Sequence, residues 1–183
     1  MATPNSNAIS PQPEYWVRKL TVQDAPELNT LFTSVRFELA LRGLDLWQHG
    51  YPNPEQQLSD VEAGAMWGMG QDQLATVVTL DFNAAPQYKE VNWRIPAERP
   101  LIIHRLATRA NNQGQGWGHR MLEFCEQHAH NIGADAIRLD TYSANSRNMQ
   151  FYRKRGYSEA PERVYFTPQA WPFACFEKAV VQD

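Results

Sequence analysis

Long apolar runs are missing from this 183-residue sequence. None approaches the ~18 residues that a membrane-spanning helix needs, so no membrane partner is expected. Cysteine is scarce: Cys125 and Cys175 show neither CxxC nor His-Cys spacing. That speaks against a metal cofactor or a redox pair and suits free buried thiols in a reducing cytoplasm. Excess positive charge is absent too. With 17 Lys and Arg against 20 Asp and Glu, the formal net charge is -3, and no electrostatic footprint for nucleic acid remains. The opening residues, MATPNSNAISPQ, lack the charged-then-apolar order of a secretory signal, so none is expected. They are polar and proline-punctuated, which predicts a mobile lead over 1–12 ahead of one domain over 13–183.

What the chain does have is a core, with 43% hydrophobic and 11% aromatic residues, enough for a single packed domain. YWVRKLT alternates as a strand does. Asp24 and Pro26 then mark a helix start, after which Leu28, Leu31, Phe32, Val35 and Leu39 repeat at helical intervals and predict one buried face. Two short amphipathic pieces are expected on either side of the YPNP turn. QLATVVTLDF, VNWRI and PLIIHRLAT read as strands, the last a near-continuous apolar run suited to a central strand. Residues 116–132 form the strongest helix pattern, with Gly133 at its C-terminal cap. AIRLDTY reads as a strand, residues 145–155 as a helix stopped by Gly156, and ERVYFTP with FACFEKAV as a closing strand pair. The sum is an α/β mixed sheet with helices on its faces.

NNQGQGWGHRML, residues 111–122, places three glycines at alternate positions just ahead of a helix. A helix N-terminus leaves backbone N–H groups unpaired at the positive end of the helix dipole, and glycines let an anion approach them. A P-loop needs Gly-Lys followed by Ser or Thr, but His119 and Arg120 follow Gly118. The dinucleotide fingerprint Gly-x-Gly-x-x-Gly fails as well, because its last place falls on His119 or Met121. The pattern that fits is Gln/Arg-x-x-Gly-x-Gly/Ala, carried by Gln113, Gly114, Gln115, Gly116, Trp117 and Gly118. It resembles the pyrophosphate-binding loop of the GCN5-related N-acetyltransferase (GNAT) family. A later stretch resembles the same family: NSRNMQFYRKRGY matches Asn-x-x-Ala-x-x-x-Tyr-x-x-x-Gly-Phe at Asn145, Tyr152 and Gly156, with Asn148 in the alanine place and Tyr157 for phenylalanine.

The resemblance implies a GNAT fold: one domain around a mixed, mostly antiparallel sheet of six to seven strands, splayed between strands 4 and 5, with helices on both faces. It implies acetyl-CoA as acyl donor, with pantetheine contacts at Leu106, Ala107 and Thr108, pyrophosphate contacts from Gln113 to Gly118, and Asn145 and Tyr152 facing one groove. Tyr152 matches the family's general acid, although it can instead only pack against the cofactor. Asp140 and His104 are both candidates for the base, His104 because its spacing puts it on the face of Thr108. Either can instead be structural, and Arg105 is expected to point the other way. The acceptor is a primary amine of a small molecule or an exposed peptide. Trp47, Tyr51, Trp67 and Trp93 are candidates for its pocket, of which at most two are expected to serve. A ribosomal-protein N-terminus as acceptor, a non-catalytic acyl-CoA-binding module and a homodimer stay open.

Overall fold

The computed structural model describes residues 15–181, so the lead expected over 1–12 lies outside the described residues. Along the chain run β1 (Trp16–Lys19), α1 (Ala25–Leu41), α2 (Pro54–Glu62), β2 (Met66–Gly70), β3 (Leu74–Asp81), β4 (Pro100–Thr108), α3 (Trp117–Asn131), β5 (Ala136–Tyr142), α4 (Ser146–Arg153), β6 (Ser158–Val164) and β7 (Phe173–Ala179). The strands make one seven-stranded sheet in the order β1-β2-β3-β4-β5-β7-β6. β4 and β5 pair parallel and every other neighbouring pair is antiparallel. No helix is long and apolar enough to cross a membrane among the described residues.

Alternating side chains supply a separate core to each face, as a pleated strand requires. Val77 and Ile102 face α1 and α2, joining Leu28, Phe32 and Val61. Their neighbours Val78 and Ile103 face α3 and α4, joining Met121, Leu122, Cys125 and Tyr152. The apolar spacing of α1 works as expected, since all five of Leu28, Leu31, Phe32, Val35 and Leu39 are buried. Asp24 stands at the start of α1 but makes no side-chain bond to it. Its carboxylate turns back to the Thr21 amide and to Arg18, because a short 3-10 turn over Val22–Asp24 comes first.

Four elements differ from the sequence reading, one of them in extent alone, since β6 covers Ser158–Val164 where ERVYFTP was expected. Only the second of the two pieces around YPNP is a helix, α2, capped by the Asn53 side chain on the Gln56 amide at 2.7 Å. β2 was not expected, because MWGMG carries two glycines in a strand. Gly70 is required there, because a β-carbon would stand 2.0 Å from the Gln73 carbonyl oxygen, and one on Gly68 would crowd Leu20 Cδ2 and Leu74 Cδ1 at 2.6 Å. VNWRI is not a strand. Between β3 and β4 the chain makes a 3-10 turn over Pro86–Glu90 and then an irregular strap.

Side-chain carboxylates take the place of a neighbouring strand along that strap. Glu177, only 1% exposed, accepts the Arg94 amide at 2.7 Å and the Ile95 amide at 3.3 Å. Asp135 accepts the amides of Glu98 and Arg99, and Glu162 that of Asn92. Arg138 donates to the Ile95 carbonyl at 2.9 Å and stacks over the Trp93 ring. The strap is therefore fastened to β5 and β7 across the face shared with α1 and α2. Replacing Glu177 with Ala orphans two backbone donors and a largely buried arginine, and should cost about 3–5 kcal/mol of stability. Urea unfolding checks this, and a loss below about 1 kcal/mol would show that the strap holds without its carboxylate.

Candidate active site at the parting of two strands

β4 and β5 stay paired only from Pro100–Ala136 to Ile103–Leu139. Beyond that register the two strands separate. His104 and Asp140 are the first residues past the last pair, and the β5-facing edge of β4 from His104 to Thr108 has no strand partner among the described residues. Unpaired backbone groups of this kind bind an extended ligand as an added strand would.

A bulge in β4 sits at the same place. Thr79 pairs with His104 but Val77 pairs with Ala107, so Arg105 and Leu106 together oppose Val78, and Arg105 adopts φ +51. The extra residue reverses the alternation. His104 keeps step with Ile102 on the α1/α2 side, where its Nε2 lies 3.1 Å from Asp81 Oδ1. Thr108 falls on the other side, with its hydroxyl 3.2 Å from Thr76 Oγ1. The four-residue spacing thus misleads, and His104 and Thr108 do not share a face. Arg105 departs from the reading also: its left-handed backbone swings it to the side of His104, where it donates to Asp60 Oδ1 at 2.8 Å and to the Tyr51 hydroxyl.

Asp140 lies on that same side, in step with Tyr142 of the α1/α2 core. The Tyr88 hydroxyl donates to its Oδ1 at 2.8 Å. Oδ2 makes no hydrogen bond among the described residues. Burial pushes the Asp140 carboxyl above its ordinary range, and the Tyr88 bond together with nearby His104 and Arg105 offsets only part of this. Asp81 behaves the opposite way. Burial works against its charge, but bonds from His104 and the Asn83 amide hold it below the usual carboxylate range.

Tyr152 occupies the α3/α4 side, 5% exposed and packed edge-on to Phe151 and Tyr157. Burial, with smaller contributions from Cys125 and Asp140, pushes its phenol well above the ordinary value, so it is protonated at neutral pH. Its hydroxyl has no hydrogen-bond partner among the described residues. Asn145, 2% exposed, caps α4 through the Asn148 amide and accepts from Arg42 Nη2 at 3.0 Å. That bond ties α4 to the end of α1.

The glycine loop leads from Thr108 into α3. Gly114 and Gly116 take φ +79 and +86, conformations open to glycine at little cost. Gly116 is the N-cap, and no side-chain cap bonds the first-turn amides of α3 among the described residues. A β-carbon on Gly114 would meet nothing within 4 Å, whereas one on Gly118 would crowd Thr108 Oγ1 at 3.4 Å. Gln113 donates to the Thr108 carbonyl at 3.3 Å and accepts from Arg147, while Gln115 donates to the Asn111 carbonyl at 2.8 Å. The Trp117 side chain is buried in the core, leaving only its backbone to the loop. Open amides at a helix N-terminus beside an arginine fit a diphosphate.

The four aromatic candidates separate. Trp67 lies on the α3 side against Phe124 and His128. Trp47 packs on Phe32 and Trp93 on Tyr88, both on the α1/α2 side, where Tyr51 is 41% exposed. Tyr88, Asp81 and the Asp60–Arg105 pair went unnoticed in the sequence. The strap brings in Tyr88, the bulge brings Arg105 to Asp60, and Asp81 meets His104 across the β3–β4 pairing; none of these has a local sequence signal.

The Acetyltransferase (GNAT) family profile matches residues 45–157. The chain is 25% identical over 166 residues, covering 88% of each, to an uncharacterized N-acetyltransferase of Bacillus subtilis, YesJ. Its fold superposes with TM-score 0.81 on a GNAT-family acetyltransferase of Streptococcus agalactiae, at 23% identity over 92% of this chain and 96% of the other. A PaiA N-acetyltransferase of Thermoplasma acidophilum, crystallised with coenzyme A, superposes at TM-score 0.66 and 18% identity, covering 91% and 99%.

Burial of Asp140 has a measurable consequence for stability. Its folded pKa lies above the ordinary 3.8, so its contribution to stability is fully present below that pH and is lost as pH rises through the folded value. Asp140→Asn should therefore melt higher than the wild type at pH 8 and no higher at pH 3.5. Thermal melts at the two pH values check this, and a pH-independent difference would contradict it.

Proposed function

The chain belongs to the Acetyltransferase (GNAT) family, and from that premise we propose that it moves the acetyl group of acetyl-CoA directly to a primary amine of a small molecule or an exposed peptide. The observation that carries this reading is the parting of β4 and β5, which leaves a bulged, unpaired strand edge ending at an uncapped helix N-terminus. Amides from Gln113 to Gly118 would hold the diphosphate, and backbone groups of Leu106, Ala107 and Thr108 would bind the pantetheine arm. The free thiols Cys125 and Cys175 are both buried and suit a cytoplasmic enzyme.

Direct transfer forms an N–C bond at the acyl carbon and breaks the C–S bond, with a proton leaving the amine and another reaching the thiolate. Asp140 is the base in this reading, because burial raises its affinity for a proton and Oδ2 is unengaged. His104 gives one ring nitrogen to Asp81, which favours a supporting electrostatic role over that of first base. Tyr152 is the acid, a protonated phenol on the opposite side of the parting. Acid and base thus approach the same gap from the two faces of the sheet. Asn145 holds the start of α4 against α1 and so fixes Tyr152, two turns further on.

On the acceptor side, Tyr51 bonds to the Arg105 that pairs with Asp60, and Trp93 packs on the Tyr88 that bonds to Asp140; aromatic walls near a carboxylate suit an amine. Calorimetry should detect acetyl-CoA binding, and a thiol-release screen of amino acids, polyamines and short peptides should identify the acceptor. Tyr152→Phe should then lower kcat by about 10- to 1000-fold while leaving acetyl-CoA affinity within about threefold. Unchanged turnover would remove Tyr152 from the acid role.

A further inference from the structure

The reading of Asp140 as base leaves open why its carboxylate holds one orientation at the end of a strand that has just lost its partner. The strap between β3 and β4 answers this. Its 3-10 turn over Pro86–Glu90 brings in Tyr88, 5% exposed and buried in the α1/α2 core, and the Tyr88 hydroxyl donates to Asp140 Oδ1 at 2.8 Å. The ring itself is fixed. Trp93 packs against it with centroids 5.2 Å apart and donates its indole N–H to the Tyr88 carbonyl at 3.2 Å. Arg138 covers the other partner, with its guanidinium 4.5 Å from the Trp93 centroid. Glu177 and Asp135 then anchor the following amides.

We propose that Tyr88 is a positioning residue for the acceptor-side base: it clamps Oδ1 of Asp140 and leaves Oδ2 as the oxygen that receives the amine's proton. The inference rests on the proposed role of Asp140. A phenol donor is suited to this task because it gives one directed hydrogen bond without a countercharge. A lysine or arginine in its place would pair with the carboxylate outright and drain its basicity. The donor also offsets part of the upward push that burial exerts on the carboxyl.

Other groups around Asp140 set the same balance. His104 and Arg105 approach from β4, Cys175 is its paired residue on β7, and Tyr152 acts on it electrostatically from the other side of the sheet. Among these, Tyr88 alone is shown bonded to the carboxylate among the described residues. It can also be changed with the least disturbance, because Phe keeps the ring packing and the backbone bond to Trp93.

The test titrates the Asp140 carboxyl by carbon-13 NMR in the free, full-length protein, wild type and Tyr88→Phe, and then measures kcat against pH for both with the acceptor found in the amine screen. Removing a hydrogen bond that favours the charged carboxylate should raise the Asp140 midpoint by about one pH unit. The acidic limb of the kcat profile should move upward by the same amount, with turnover above the limb kept within about threefold. An unmoved midpoint, or an even loss of turnover at every pH with the limb in place, overturns the inference and leaves Tyr88 a packing residue. Asp140→Asn separates this from failure of the underlying reading. Turnover lost in Asp140→Asn with an unmoved Tyr88→Phe titration sinks the clamp alone. Full turnover in Asp140→Asn removes the base assignment, and the clamp with it.

Discussion

Everything at this site depends on β4 and β5 ceasing to pair after Ile103 and Leu139. Two parallel strands in the middle of a sheet ordinarily satisfy each other's backbone groups along their whole length. Here a one-residue bulge at Arg105 and Leu106 turns β4 away from β5 while its other edge stays bonded to β3. The result is a stretch of β4, from His104 to Thr108, whose β5-facing edge has no strand partner among the described residues. Arg105 pays for its left-handed backbone with an ion pair to Asp60, itself bonded to Thr79 of β3 and Gln56 of α2.

In the proposed mechanism the parting of the strands divides acid and base between two separately packed cores. Tyr152 belongs to the α3/α4 core and Asp140 to the face covered by α1, α2 and the strap. Burial acts on both groups in the same sense, favouring the protonated form of each. For a phenol acting as acid this preserves the reactive state at neutral pH. For a carboxylate it trades some folded-state stability for greater affinity for a proton, a compromise common at functional sites.

The strap shows how an irregular segment can be as firmly held as a strand. Glu177, Asp135 and Glu162 accept five of its backbone amides. Each lies far from the strap in sequence, so VNWRI reads locally as a strand while its hydrogen bonds go to side chains from β6, β7 and the turn before β5. The same remoteness hides Tyr88. A tyrosine after a proline in a loop carries no sign that its hydroxyl will meet a carboxylate 52 positions away. β2 was hidden for the reverse reason, since its glycines weaken the strand signal while serving close packing, Gly68 against Leu20 and Leu74 and Gly70 against the Gln73 carbonyl.

The sequence by itself determined the helices, most strands, the glycine turn into α3 and the Asn145-to-Tyr152 spacing, because these rest on periodicity and caps within a few residues of one another. Gly116, Gly133 and Gly156 all take the positive φ that such caps and turns need. Only the tertiary structure decided which side of the sheet His104 faces, where Arg105 reaches and what orients Asp140. Those outcomes turn on a bulge and on hydrogen bonds between segments distant in sequence. A single inserted residue reverses every side chain beyond it, and no local pattern records where the insertion falls.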